Sequence, residues 1–272
     1  MADRPSVKES LKEYSRGIAG GLLFSLPVLY TMEVWAHGIL ASPERLALGL
    51  VATFGLLCLY NAYAGLREDH SKAEILVDSV EELGLGLALS AAILVLLGRI
   101  GPDSTFIQAL GLVVTQGCTT AIGVSVGTAQ LGGDTPQRDD RPTLPSQIAI
   151  SLCGAVLIAA NVAPTEEILL LGVESSPLHS FVMLIACLAL AMFALRMAEV
   201  RGHRDFEDCS AIPRMIMGPV VTVAVALFAS GAMLWWYGRL SGDGLGAASA
   251  QIVALGLPAT LGASVGRALL QA

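Results

Sequence analysis

Eight apolar stretches, near residues 17–38, 44–66, 75–98, 105–131, 147–172, 178–199, 213–237 and 245–270, take up most of this chain. Each reaches the roughly 20 residues that a helix needs to cross the hydrocarbon core of a bilayer. Of 272 residues, little remains outside them for a separate soluble catalytic or DNA-binding domain. Only 14% of the residues are charged and 54% are apolar, so lipid must be the solvent for most of the chain. The expected fold is all-α: a polytopic membrane helix bundle with eight transmembrane helices, in contact with the lipid bilayer and with no nucleic-acid partner.

Residues 1–16 hold Arg4, Lys8, Lys12 and Arg16 among acids and read as a cytoplasmic amphipathic segment. A cleaved signal is disfavoured, because the following run is too long and carries Glu33. With the amino terminus cytoplasmic, thirteen of the 16 basic residues, Arg267 among them, fall on cytoplasmic segments, and only Arg45, Arg99 and Arg239 fall on the other face. This positive-inside pattern and an even number of spans put both termini on the cytoplasmic side of the membrane. Cys58, Cys118, Cys153, Cys187 and Cys209 have no CxxC or metal-ligand spacing and read as small apolar residues without disulfides.

The chain repeats itself. "YTMEVWAHGILASP" (30–43) lies over "PTEEILLLGVESSP" (164–177) without a gap, matching Thr31 to Thr165, Glu33 to Glu167 and Gly38 to Gly172. "GRIGPD" (98–103) corresponds to "GRLSGD" (238–243), and "TAIGVSVGTA" (120–129) to "ATLGASVGRA" (259–268). The expected organisation is a four-helix repeat over 17–131, a cytoplasmic linker over 132–146 and a second repeat over 147–272. An even number of helices per copy makes the repeats parallel rather than inverted. Gly123 with Gly127, and Gly262 with Gly266, form small faces for close helix packing.

Polar residues inside the spans are the candidates for function. An acidic residue at the centre of a membrane helix costs roughly 2.5–3.5 kcal/mol, less toward the interface. On that ground Glu33 and Glu167, with Glu166 and Asn161, are expected to line a cation or proton path in the outer half. Pro27 and Pro164 precede them, and the carbonyls that prolines free suit a cation site. The competing reading lets the acids reach the outer interface or pair with Arg99 and Arg239.

Asp78, Glu81 and Glu82 in "ILVDSVEELGLG" have the spacing of one helical face and read as a cytoplasmic ion mouth. Alternatively that helix starts at Leu83, leaving them in a solvated first turn. Thr115, Gln116, Thr119 and Thr120 either line a pore or bond across helices. Arg99–Asp103 and Arg239–Asp243 read as local ion pairs, each Asp capping the next helix. No catalytic motif, cofactor motif or metal-ligand spacing is present, so the chain is read as a non-enzyme without cofactor, its metal undetermined.

With "YTMEVWAHG", "APTEEI" and "TAIGVSVG" in view, the whole chain resembles a bacterial family of uncharacterised integral membrane proteins of about this length. The resemblance implies a helical inner-membrane protein and supplies no activity. Over a few residues "NVAPTEE" also resembles the acidic motifs of cation/calcium exchangers. Those exchangers have inverted repeats, so their ion-binding residues are not carried over. The functional expectation is a channel or secondary transporter for protons or a divalent metal. Its alternative is a non-transporting sensor or complex subunit whose acids bind a partner. A homo-oligomer is compatible with either.

Overall fold

The structure is a computed structural model that describes residues 7–64, 71–131, 143–201, 211–242 and 244–271, and among these there are helices and turns but no strand. Most of segment 132–146, together with Cys209 and Asp243, lies outside the described residues. The chain forms two compact units, Met1–Asp140 and Arg141–Ala272.

In the first unit, α1 (Val7–Leu29) is followed by a nine-residue α2 (Met32–Leu40), then by α3 (Pro43–Ala64), α4 (Lys72–Leu96) and α5 (Phe106–Gln130). The first expected span is therefore not one helix: Leu11–Leu29 and Met32–Leu40 meet at 86°. Pro27 lies in the last turn of α1. Beyond it the ladder gives out, with Tyr30 N 3.2 Å from both the Leu26 and Pro27 carbonyls and Thr31 Oγ1 donating to the Pro27 carbonyl at 2.5 Å. Thr31 then turns extended and ends the helix.

The middle of this unit is α5, of whose most apolar window 83% is buried, against 33% for α3 and 22% for α4. Small residues allow this. A Cβ on Gly20 of α1 would lie 2.6 Å from the Gly123 carbonyl oxygen, and one on Gly86 of α4 would lie 2.5 Å from the Ala121 Cα, so these backbones touch. Leu76, Val77, Val80 and Leu96 of α4 are exposed, a surface suited to lipid and not to water.

The second unit runs α6 (Leu144–Val162), a nine-residue α7 (Glu166–Glu174), α8 (Pro177–Arg201), α9 (Ala211–Trp236) and α10 (Leu245–Gln271). The fifth expected span, like the first, is interrupted, here at Ala163–Thr165, where Thr165 is extended and its hydroxyl donates to the Val162 carbonyl at 2.9 Å. Within this unit α10 packs against α6, α7, α8 and α9, as α5 packs against α1, α2, α3 and α4 within the first. Gly154 of α6 meets the backbone of Gly262, and Gly256 faces Leu227 as Gly117 faces Leu87 in the first unit, a Cβ on either glycine lying 2.6 Å from the leucine Cδ2.

Both α4 and α9 end in the same cap. Gly98 and Gly238 have φ of 67° and 72°, and Arg99 N and Arg239 N each donate back to Leu94 and Leu234 at 2.8 Å, the six-to-one bond of a Schellman motif. The expected Asp103 cap is not what α5 uses: Thr105 caps it, in a reciprocal box with Gln108. Arg99 lies over the Trp35 ring, 4.3 Å from its centroid, and Arg239 donates to the Pro164 carbonyl. Among the described residues, seven helices are long and apolar enough to cross a membrane, and there are eight spans if the bent α1–α2 pair counts as one.

Candidate cation site

In the first unit, one end of the helices carries a concentration of acid. Ser71 caps α4 and shares a capping box with Glu74, which fixes the helix start a full three turns before Leu83. The solvated-first-turn reading of Asp78, Glu81 and Glu82 is thereby overturned, since all three lie within α4. They line a cavity of about 390 Å³, to which Glu13 and Glu74 add two further carboxylates. The described lining residues include five acids and no Lys, Arg or His.

Glu82 is the anchored member. Asn61 of α3, only 4% exposed, donates its amide to Glu82 Oε2 at 2.8 Å and approaches Ser79 Oγ at 3.1 Å. On its other side Asn61 Oδ1 accepts from buried Ser125 Oγ of α5 at 3.4 Å. Three helices thus hold one carboxylate through neutral donors, which orient it without cancelling its charge. Tyr14 of α1 donates to Glu81 Oε2 at 3.3 Å. Asn61, Ser125, Tyr14, Glu13 and Thr128 were not singled out by the sequence reading. An amide inside the apolar run "LLCLYNAYAG" was the available signal for Asn61.

The repeated glutamates stand elsewhere. Glu33 is half-buried in the first turn of α2, and Glu166 and Glu167 are exposed in the first turn of α7. None of the three lines the acidic cavity. The expectation that Glu33 and Glu167 belong to the outer half of a continuous spanning helix is corrected in its continuity, since each follows a break, at Thr31 and at Ala163–Thr165. A first-turn acid meets the positive end of the helix dipole, a local role that accounts for both positions. Asn161, in the last turn of α6, donates to the Leu157 carbonyl at 2.6 Å.

The pore-lining candidates sit in the packed middle of α5. Thr115, Gln116 and Thr119 are buried, and neighbouring Thr120 bonds Ser90 of α4 at 2.8 Å. Thr115 Oγ1 and both amide atoms of Gln116 have no hydrogen-bond partner, an uncommon state for buried polar groups. Among the described residues, no three His, Cys, Asp or Glu side chains converge on a point suited to a metal ion.

The second unit carries a different polar centre. Arg267 of α10, 6% exposed, donates to the Gly218 carbonyl at 2.8 Å, Thr222 Oγ1 at 2.6 Å and Gln147 Oε1 at 2.6 Å. Arg267, one of the basic residues that the positive-inside pattern places on the cytoplasmic side, has its side chain buried between α6, α9 and α10.

A family model described as "Putative integral membrane protein (DUF2391)" matches residues 13–270. No curated protein and no solved structure matches the chain.

Proposed function

Because this chain belongs to the DUF2391 family of integral membrane proteins, its work is done in a bilayer, and we propose that it is a cation channel or secondary transporter whose binding site is the acidic cavity of the first unit. One observation carries this reading: five carboxylates line a cavity to which the described residues contribute no base. Carboxylates crowded at the end of membrane helices repel one another and attract a counter-ion. Asn61 and Ser125 hold Glu82 in place for it.

The polar groups of α5 support a route away from the cavity. Thr128 and Ser125 line it, and farther along the same helix come Thr120, Thr119, Gln116 and Thr115. Water would satisfy the unpartnered atoms of Gln116 and Thr115, and a passing cation would satisfy the oxygens, Gln116 Oε1 and Thr115 Oγ1. No chemical conversion is assigned, and the protein acts by binding and moving its ligand.

The same proposal takes the two units as parallel repeats of one design. Matched sequence blocks, the common order of a long, a nine-residue and three long helices, and the paired contacts Gly117–Leu87 and Gly256–Leu227 support it. With α1 and α2 counted as one span, both termini face the cytoplasm of a bacterial inner membrane. The cavity then opens to the cytoplasm, because it lies at the start of α1 and α4 and the end of α3 and α5.

Purified protein in liposomes tests this. Cation flux above that of empty vesicles, lost in Glu82→Gln, is the expected result. Absence of flux for every cation tried would favour the other class, a sensor or complex subunit, for which exposed Glu166 and Glu167 offer partner contacts.

A further inference from the structure

The blocks that relate the two halves pair the residues of the acidic cavity, one by one, with the surroundings of Arg267. The gapless match of 30–43 with 164–177, continued back along α1 and α6, pairs Gly20 with Gly154, and both glycines are in fact at helix crossings against α5 and α10. The same register pairs Glu13 with Gln147 and, carried forward, Asn61 with Leu195. The match of 98–103 with 238–243, continued back along α4 and α9, pairs Asp78 with Gly218 and Glu82 with Thr222. The match of 120–129 with 259–268 pairs Thr128 with Arg267.

These pairings converge on one place. In the second unit the guanidinium of Arg267 bonds Gln147, Gly218 and Thr222. In the first unit the counterparts of those three positions are Glu13, Asp78 and Glu82, all on the cavity wall, and the counterpart of the arginine is Thr128, on the same wall. Leu195, near Gly218 at 3.6 Å from a Cβ built there, is replaced by the Asn61 that holds Glu82. The second unit therefore has a built-in cation bonded to two side-chain oxygens and one backbone carbonyl. The first has carboxylates at all three positions, those of Glu13 and Glu82 replacing side-chain oxygens and that of Asp78 added where the second unit has a glycine, and a short hydroxyl in place of the cation.

We infer that the cavity of the first unit binds a small guanidinium-bearing cation, its planar head lying where the second unit keeps its own arginine, between Glu82, Asp78 and Glu13. This rests on the proposed function and names its ligand class. A guanidinium is planar, weakly hydrated and donates in a fixed fork, so carboxylates that replace neutral acceptors bind it bidentately and with charge assistance. A threonine at position 128 leaves the volume that an arginine side chain would fill. At about 390 Å³, the cavity has space for the head group and a short tail.

Equilibrium binding and liposome uptake with guanidinium and methylguanidinium, far below denaturing concentrations, test the inference against sodium, magnesium and a proton-sensitive dye. Saturable guanidinium binding is expected, weakened about tenfold or more in Glu82→Gln. Thr128→Arg, which gives the first unit the arginine of the second, should abolish that binding while raising thermal stability, and Thr128→Ser should retain it. Where Thr128→Arg does not fold, Glu82→Gln and Thr128→Ser decide the matter. Glu82-dependent flux of an inorganic cation or proton, with guanidinium neither bound nor competing, would overturn the inference and leave the proposed function standing. The absence of binding or flux for every cation would overturn both.

Discussion

Asn61 and Glu82 face each other across the α3–α4 contact, amide nitrogen to carboxylate oxygen, at 2.8 Å. Asn61 is almost wholly buried and Glu82 is half-buried, so each depends on the other for its place. Asn61→Leu, which installs the residue found at the matching position of the second unit, should cost about 1–3 kcal/mol by leaving a carboxylate without its donor. Reversible unfolding in mixed micelles measures it. A cycle with Glu82→Leu, which removes the acceptor, should show coupling between the two sites, whereas simple additivity would deny the contact.

The crossing of α1 with α5 depends on Gly20. A Cβ there would lie 2.6 Å from the Gly123 carbonyl oxygen, and backbone cannot step aside as a side chain can. Gly20→Val should destabilise by about 3 kcal/mol, the upper end for overpacking, and Gly154→Val should do the same in the second unit. Gly55, with nothing within 4 Å of the same construction, is the contrast. Gly55→Ala should stabilise by about 0.5–1 kcal/mol through its helical preference alone. Thermal aggregation midpoints in detergent order these variants.

At the ends of α4 and α9, Gly98 and Gly238 adopt left-handed φ of 67° and 72°. Any residue with a Cβ is strained there, so Gly98→Ala and Gly238→Ala should each cost about 1–2 kcal/mol. Equal costs at both turns, read by the same unfolding assay, would fit two copies of one cap.

Much of this arrangement could be read in the sequence. The apolar runs marked the spans, and the spacing of Asp78, Glu81 and Glu82 put them on one helical face, where the structure has them lining a cavity. The breaks at Thr31 and Thr165 were signalled by Pro27 and Pro164 but not located, because a hydropathy window averages across a bend and Met32–Leu40 is more apolar than the helix before it. That is why the sequence places Glu33 and Glu167 in the outer half of continuous spans, when each lies in the first turn of a short helix. The role of Arg267 was hidden for another reason. Its match to Thr128 was present in the aligned blocks, but only side-chain geometry shows that its guanidinium meets Gln147 and Thr222.

The most direct test of the site sets the two groups of acids against each other in one preparation. Liposomes carrying Glu82→Gln are compared with liposomes carrying Glu33→Gln and Glu167→Gln together, at matched protein content, for initial cation uptake. Uptake should fall about tenfold or more in the first and stay within about twofold of the wild type in the second, since first-turn acids contribute only local helix stability. Full uptake with Glu82→Gln, or its loss with the paired variant alone, would contradict the placement of the site in the acidic cavity.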